Sequence, residues 1–155
     1  MKNKIILCSA CLLGIKCAYN GKDKLNKKVI KLARKEVLIP VCPETLGGLS
    51  TPRKPSGIYM GFGEDVLQGR TTVRNSREGK DVTKYFLKGA KETLKIAKLL
   101  GAKEALLKIK SPSCGYGKTW QLDKNLRNHI VKGNGVTAAL LKRNGIKVIS
   151  EEDLK

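Results

Sequence analysis

Five cysteines, at positions 8, 11, 17, 42 and 114, are the residues of this chain best suited to demanding chemistry. Thiolates are soft metal ligands and strong nucleophiles. An odd number of them, with no recognisable export signal, points away from a disulfide framework and toward buried thiols, ligands or nucleophiles. Cys42 lies in Val-Cys-Pro-Glu and Cys114 in Ser-Pro-Ser-Cys-Gly, where proline fixes the backbone and glycine lets a bulky group approach closely. Two ligand sets are open. Cys8, Cys11, Cys42 and Cys114 together would make a Cys₄ zinc site. Cys11, Cys42 and Cys114 alone would hold an iron–sulfur cubane and leave one iron free to act as a Lewis acid. Spacing does not choose between them, although Cys8 ends an apolar run and is expected to point into the core.

These thiols must be positioned by the elements around them. Short apolar runs at 4–8, 37–41, 104–109 and 146–149 read as buried strands. Helical spacing covers 24–36, then 82–100 with Asp81 as N-cap and Gly101 as stop, then 136–143 closed by Gly145. Residues 43–63, rich in Pro and Gly, read as one long functional loop. Residues 64–80 read as a small hairpin, with Val66-Leu67-Gln68 and Thr71-Thr72-Val73 flanking Gly69-Arg70. A glycine-rich stretch follows the third strand. The alternation predicts a single α/β domain over 1–155, an open, mainly parallel sheet flanked by helices in the Rossmann-like manner. In such sheets ligands bind outside the carboxyl ends of the strands. Cys11, Cys42 and Cys114 follow the first three strands and are therefore expected on one rim.

Composition narrows the partners. The 32 Lys and Arg outnumber the 13 Asp and Glu, giving a net charge of +19, a surface that attracts anions and nucleic acid in particular. The basic residues lack interleaved aromatics, so no base-stacking platform is evident. No apolar run is long enough to span a membrane, and a cytoplasmic protein is expected. His129, the sole histidine, lies outside the cysteine loops and reads as a surface or packing residue. No Walker or Gly-x-Gly-x-x-Gly motif and no Ser-Gly-Gly-x-Asp-Ser loop is present, so nothing points to nucleotide hydrolysis as an energy source.

The segments Ser-Ala-Cys-Leu-Leu-Gly (9–14), Val-Cys-Pro-Glu-Thr-Leu-Gly-Gly-Leu-Ser-Thr-Pro-Arg (41–53), Asp-Val-Thr (81–83), Ser-Pro-Ser-Cys-Gly (111–115), Gly-Val-Thr-Ala-Ala-Leu-Leu (135–141) and Gly-Ile-Lys-Val-Ile-Ser-Glu-Glu (145–152) occur in this order. Together they resemble the thiouracil desulfidase family across nearly the whole chain. The resemblance implies a [4Fe-4S] cluster on Cys11, Cys42 and Cys114. It implies removal of sulfur from thiolated uracil (4-thiouracil, 2-thiouracil or thiouridine derivatives) to give uracil and hydrosulfide, with the open iron binding the substrate sulfur. Glu44 and Ser111 are similar to catalytic positions of the family, and Arg53 and Ser113 are expected to contact substrate. Cys8 and Cys17 are extra to the pattern, and Cys17 is left outside the site.

The mechanism expected from these residues is hydrolytic and non-redox. Glu44 serves as general base on a water, and Ser111 hydrogen-bonds the ring or relays the proton. Longer relatives resemble enzymes acting on thiouridine in tRNA. A free base, nucleoside or nucleotide is expected here, and the charge keeps tRNA as a partner. The competing class is a zinc-stabilised basic RNA-binding module without catalysis.

Overall fold

A computed structural model describes residues 3–155; Met1 and Lys2 lie outside the described residues. The first sheet contains β1 (Ile5–Ser9), β2 (Val37–Val41), β5 (Glu104–Leu107) and β8 (Lys147–Ser150). All its pairings are parallel, and the order is β2-β1-β5-β8. These are the four strands expected from the apolar runs. The chain steps from β1 to β2 on one side through α1 (Lys27–Ala33), then later returns to β1's other side with β5. The gap between β1 and β5 is therefore a topological switch point, where adjacent connections leave in opposite directions and open a crevice.

Alternation along β1 decides what each face packs against. Leu7 joins Val41, Ala105, Leu107, Leu141 and Val148 in one core, against α4 (Thr83–Leu100) and α5 (Val136–Arg143). Ile6 and Cys8 join Leu12, Val29 and Leu106 in the opposite core, under α1. Cys8 is fully buried there, as its place in an apolar strand implies.

The second sheet is where the sequence-based expectation fails. It has the order β4-β3-β6-β7, with β3 (Ser56–Tyr59), β4 (Val73–Asn75), β6 (Lys118–Leu122) and β7 (Asn128–Lys132). The expected loop over 43–63 contains α2 (Pro43–Leu46) and β3. The expected hairpin over 64–80 is replaced by α3 (Gly63–Leu67) followed by β4, which pairs with β3. Val66 is thus helical and packs with Ile58, Val73 and Phe86. The glycine-rich stretch after Cys114 contains the β6–β7 hairpin.

α4 binds the two sheets together. Its N-terminal half puts Phe86 and Ala90 against the second sheet, and its C-terminal half puts Ala97 against the first. Its lysines occupy the outer face, as the periodicity predicts. Asp81 caps from just outside, its Oδ1 accepting from the Thr83 amide at 2.8 Å, and Gly101 ends the helix. Among the described residues no helix is long and apolar enough to cross a membrane.

Candidate active site

Cys11 and Cys42 sit just past the C-terminal ends of parallel strands, and Cys114 sits in a turn further along the connection that leaves a third. Cys11 lies in a 3-10 turn, Ala10–Leu13, directly after β1. Cys42 follows β2 and is the N-cap residue of α2, with Pro43 at the first helical position. Such a proline fits the helix start, since its missing N–H would be unpaired there anyway. Cys114 follows β5 in the turn 111–114. Because β2, β1 and β5 are neighbours in that order, the three thiols meet on one rim. They line a single cavity of about 460 Å³ together with Cys17, Glu44, Arg53, Lys108, Ser111, Trp120 and Asn128.

The turn carrying Cys114 is built by Ser111. Its Oγ accepts from the amides of Ser113 at 3.1 Å and Cys114 at 3.0 Å. Its carbonyl accepts from the Gly115 amide at 2.8 Å and from Thr119 Oγ1 at 3.1 Å. The Ser111 hydroxyl proton has no backbone acceptor and is directed toward the Cys114 thiol. Lys110, one residue earlier, has a left-handed backbone (φ 72°) fixed by hydrogen bonds with Lys118 and Trp120 of β6. A non-glycine residue in that region is strained, and such strain persists where the surroundings dictate it. The second sheet thereby sets the direction of the Cys114 turn.

The turn also docks on α5. Pro112 and Ser113 carbonyls accept from the amides of Val136, Thr137 and Ala138, the first turn of that helix. Gly135 permits this approach, since a Cβ there would stand 2.5 Å from the Ser113 oxygen. Ser113 itself points inward. It is fully buried, its hydroxyl pairs with Thr137 Oγ1 at 2.7 Å, and it is absent from the cavity wall. The expected substrate contact from Ser113 is therefore corrected: its carbonyl and hydroxyl hold the turn against α5.

α2 holds the second corner. Thr45 Oγ1 donates to Cys42 Sγ at 3.2 Å, and Glu44 projects from the first turn. Arg53 Nε donates to Glu44 Oε1 at 3.3 Å, with both side chains largely buried. Arg53 Nη1 also donates to the Ser50 carbonyl at 3.2 Å and Thr51 Oγ1 at 3.0 Å, and Nη2 to the Cys17 carbonyl at 2.9 Å. Four of its five N–H groups are thus spent on the protein. Its geometry is that of a clamp on Glu44 and on the Cys17 loop.

The Cys114 and Cys42 thiols are held neutral. Burial pushes the Cys114 thiol up to about 12, with Cys42 and Glu44 adding and hydrogen bonds from Ser9 and Ser111 opposing. Cys42 is raised well above the ordinary thiol value, first by contact with the Cys17 thiol and then by burial. Such thiols ionise when a metal replaces the proton, so metal uptake here releases protons. The donor set fits an iron–sulfur cluster better than one zinc ion. Cys8, needed for a Cys₄ zinc set, lies in the core beneath the sheet and does not line the cavity.

Sequence reasoning missed Lys108, Trp120 and Asn128 and left Cys17 outside the site, although all four line the cavity. Trp120 and Asn128 lie in the unexpected hairpin. Lys108 closes the floor, its Nζ 2.7 Å from Glu151 Oε1 at the end of β8. His129, as expected, is on the surface, paired with Asp123 at 2.8 Å.

Three comparisons with known proteins show what this chain is similar to. The model of the family described as 2-thiouracil desulfurase matches residues 6–153. The uncharacterized protein YbbK of Bacillus subtilis (strain 168) is 45% identical over 150 residues, covering 97% of each chain. Among solved structures, the [4Fe-4S]-dependent thiouracil desulfidase TudS is 38% identical with a TM-score of 0.81, covering 99% of this chain and 93% of that one.

Proposed function

Since the chain belongs to the 2-thiouracil desulfurase family, we propose that it uses a [4Fe-4S] cluster on Cys11, Cys42 and Cys114 to remove sulfur from a thiolated uracil, giving uracil and hydrosulfide. The observation that carries this reading is the convergence of those thiols, from the connections that leave three adjacent parallel strands, on a cavity that also holds Glu44. The similarity to TudS supports the cofactor. When bound, the cluster supplies an iron without a protein ligand as a Lewis acid for the thiocarbonyl sulfur.

The remaining work falls to the protein. Glu44 takes a proton from a water directed at the ring carbon that bears sulfur. Arg53 holds the Glu44 carboxylate in place through Nε and acts as a positioning residue. The Ser111 hydroxyl, its oxygen engaged by two amides, donates toward the ring or passes the proton on. Trp120 offers an aromatic face to the pyrimidine. Asn128 offers a carboxamide whose Oδ1 is buried without a partner, a deficit that a bound ring N–H or a water can correct once the amide turns. The step is hydrolytic: oxygen from water replaces sulfur at carbon, and no electron is gained or lost.

A second reading of the substrate has its own support. A groove containing Lys54, Arg77 and Lys80 adjoins the cavity and shares Tyr19, Arg53, Pro55 and Ser56 with it. The same chemistry on thiouridine in a nucleotide or in tRNA would place phosphates there.

The test is anaerobic reconstitution with iron and sulfide, followed by iron analysis and an assay of sulfide released from 4-thiouracil and from thiolated tRNA. About four irons per chain and sulfide release are expected, with both lost on replacing Cys11, Cys42 or Cys114. A colourless protein that binds zinc and releases no sulfide overturns the reading.

A further inference from the structure

The desulfidation described above makes no use of Cys17, yet its thiol stands among the thiols that it does use. Cys17 lines the same cavity as Cys11, Cys42 and Cys114, and Cys42 Sγ reaches its backbone carbonyl. It is half-buried. A packing cysteine in this protein looks different: Cys8 is wholly enclosed by Ile6, Leu12, Val29 and Leu106.

The position of Cys17 is built. Its carbonyl accepts from Arg53 Nη2 at 2.9 Å and lies 3.8 Å from Cys42 Sγ. Its amide donates to the Ile15 carbonyl at 2.9 Å, and the next residue, Ala18, donates to Lys22 at 3.1 Å. The segment is tied back to the site by the Lys24 amide, which donates to the Cys11 carbonyl at 2.9 Å. Arg53 therefore holds the Cys17 loop and Glu44 with one guanidinium. Unlike Cys11 and Cys42, which directly follow β1 and β2, and unlike Cys114, whose turn is docked on α5, Cys17 is held by neither a strand end nor a helix. It rides on a loop between the 3-10 turn and α1, an element type that moves more readily than a strand end.

We propose that Cys17 is a fourth, exchangeable thiolate of the iron–sulfur centre: without substrate its sulfur occupies the iron that Cys11, Cys42 and Cys114 leave free, and the thiocarbonyl sulfur of the substrate displaces it. This rests on the ligand assignment under the proposed function. The exchange is not redox. One iron–sulfur bond breaks as another forms; Cys17 gives its proton to solvent on binding iron and regains one on release. A three-cysteine cluster with a bare iron loses that iron readily to oxidants. A tethered thiolate shields it and yields to a ligand that brings its own sulfur.

Mössbauer spectra of anaerobically reconstituted, ⁵⁷Fe-loaded protein test this, read with the rate of iron loss on adding ferricyanide. Wild type should show every iron in a sulfur-only environment. Cys17→Ala should show about one iron in four with a distinct ligand set and should lose that iron about tenfold faster, the scale on which a ligand's surroundings change metal retention. Adding 4-thiouracil to wild type should perturb that one iron. If Cys17→Ala does not load, Cys17→Ser is read instead, where an oxygen ligand marks the same iron. A distinct iron already present in wild type, with equal rates of iron loss in the variants, overturns the proposal while leaving the three-cysteine cluster intact. Absence of any four-iron centre in wild type overturns the ligand assignment itself.

Discussion

Arg53 Nε lies 3.3 Å from Glu44 Oε1, and the Arg53 side chain is only 7% exposed. The pair joins the loop after α2 to the first turn of α2, so the Glu44 carboxylate is oriented by a cation with four of its five N–H groups already on protein partners. Replacing a guanidinium by an ammonium keeps the charge but loses the fork. Arg53→Lys should therefore lower kcat roughly 10–100-fold, the range seen when an orienting partner is removed, while iron content stays at the wild-type level. Glu44→Gln should lower kcat further with the cluster retained. Full activity in Glu44→Gln would remove Glu44 from the mechanism.

α2 reaches its position through a backbone contact. A Cβ on Gly89 of α4 would stand 1.8 Å from the Pro43 carbonyl oxygen, and one on Gly47 would stand 1.9 Å from the Tyr85 carbonyl oxygen. Neither clash can be relieved by turning a side chain. Gly89→Ala should destabilise the protein by about 3 kcal/mol or more, as overpacking at a backbone does, and should shift both Cys42 and Glu44. Denaturant unfolding of the cluster-free protein gives the first quantity, and iron retention reports the second. Lys88→Ala, on the outer face of the same helix, should change neither.

Much of this was legible in the sequence, and the reason is physical. β1, β2, β5 and β8 are short, largely apolar runs with one helix or more between them, so their type and parallel order follow from length and apolarity. Cys11, Cys42 and Cys114 then follow the strand ends. The second sheet was not legible. β3 is the four residues Ser56–Tyr59, β4 is only Val73–Asn75, and β7 is exposed along most of its length. Such strands carry almost no periodic signal and are fixed by long-range pairing, as between β3 and β6. Trp120 and Asn128 were lost with them. Cys17 was visible as a residue but not as a neighbour, because the loop that folds it onto Cys11 and Cys42 is shaped by Arg53, 36 residues away.

Cys8 offers a test of the division between core and site thiols. Burial, with a smaller contribution from Glu151, pushes its thiol up to about 12 from an ordinary 9.0. The unfolded chain ionises first as pH rises, so the folded state binds more protons between these two values. Stability is therefore undiminished below pH 9 and falls as pH rises from about 9 toward 12. In the cluster-free protein, Cys8→Ala should show a shallower fall across this window than wild type, measured by chemical denaturation at several pH values. Parallel curves would mean that Cys8 ionises in the folded state without penalty.

The cavity wall supplied by the β6–β7 hairpin should act on binding more than on chemistry. Trp120 lines the cavity from β6, its amide fixed by the Lys110 carbonyl at 2.9 Å. Stacking of a base on an aromatic ring contributes about 1–3 kcal/mol. Trp120→Leu should therefore raise KM for a thiolated uracil by about tenfold or more, with a smaller change in kcat, and Trp120→Phe should recover most of the loss. Asn128→Ala removes a carboxamide whose oxygen has no partner within the protein, so the fold should lose little stability while KM rises. Steady-state kinetics on 4-thiouracil distinguish these effects from a misplaced cluster, which would lower kcat and iron content together. A drop in kcat alone, with KM unchanged in both variants, would move the pyrimidine to a different wall of the cavity.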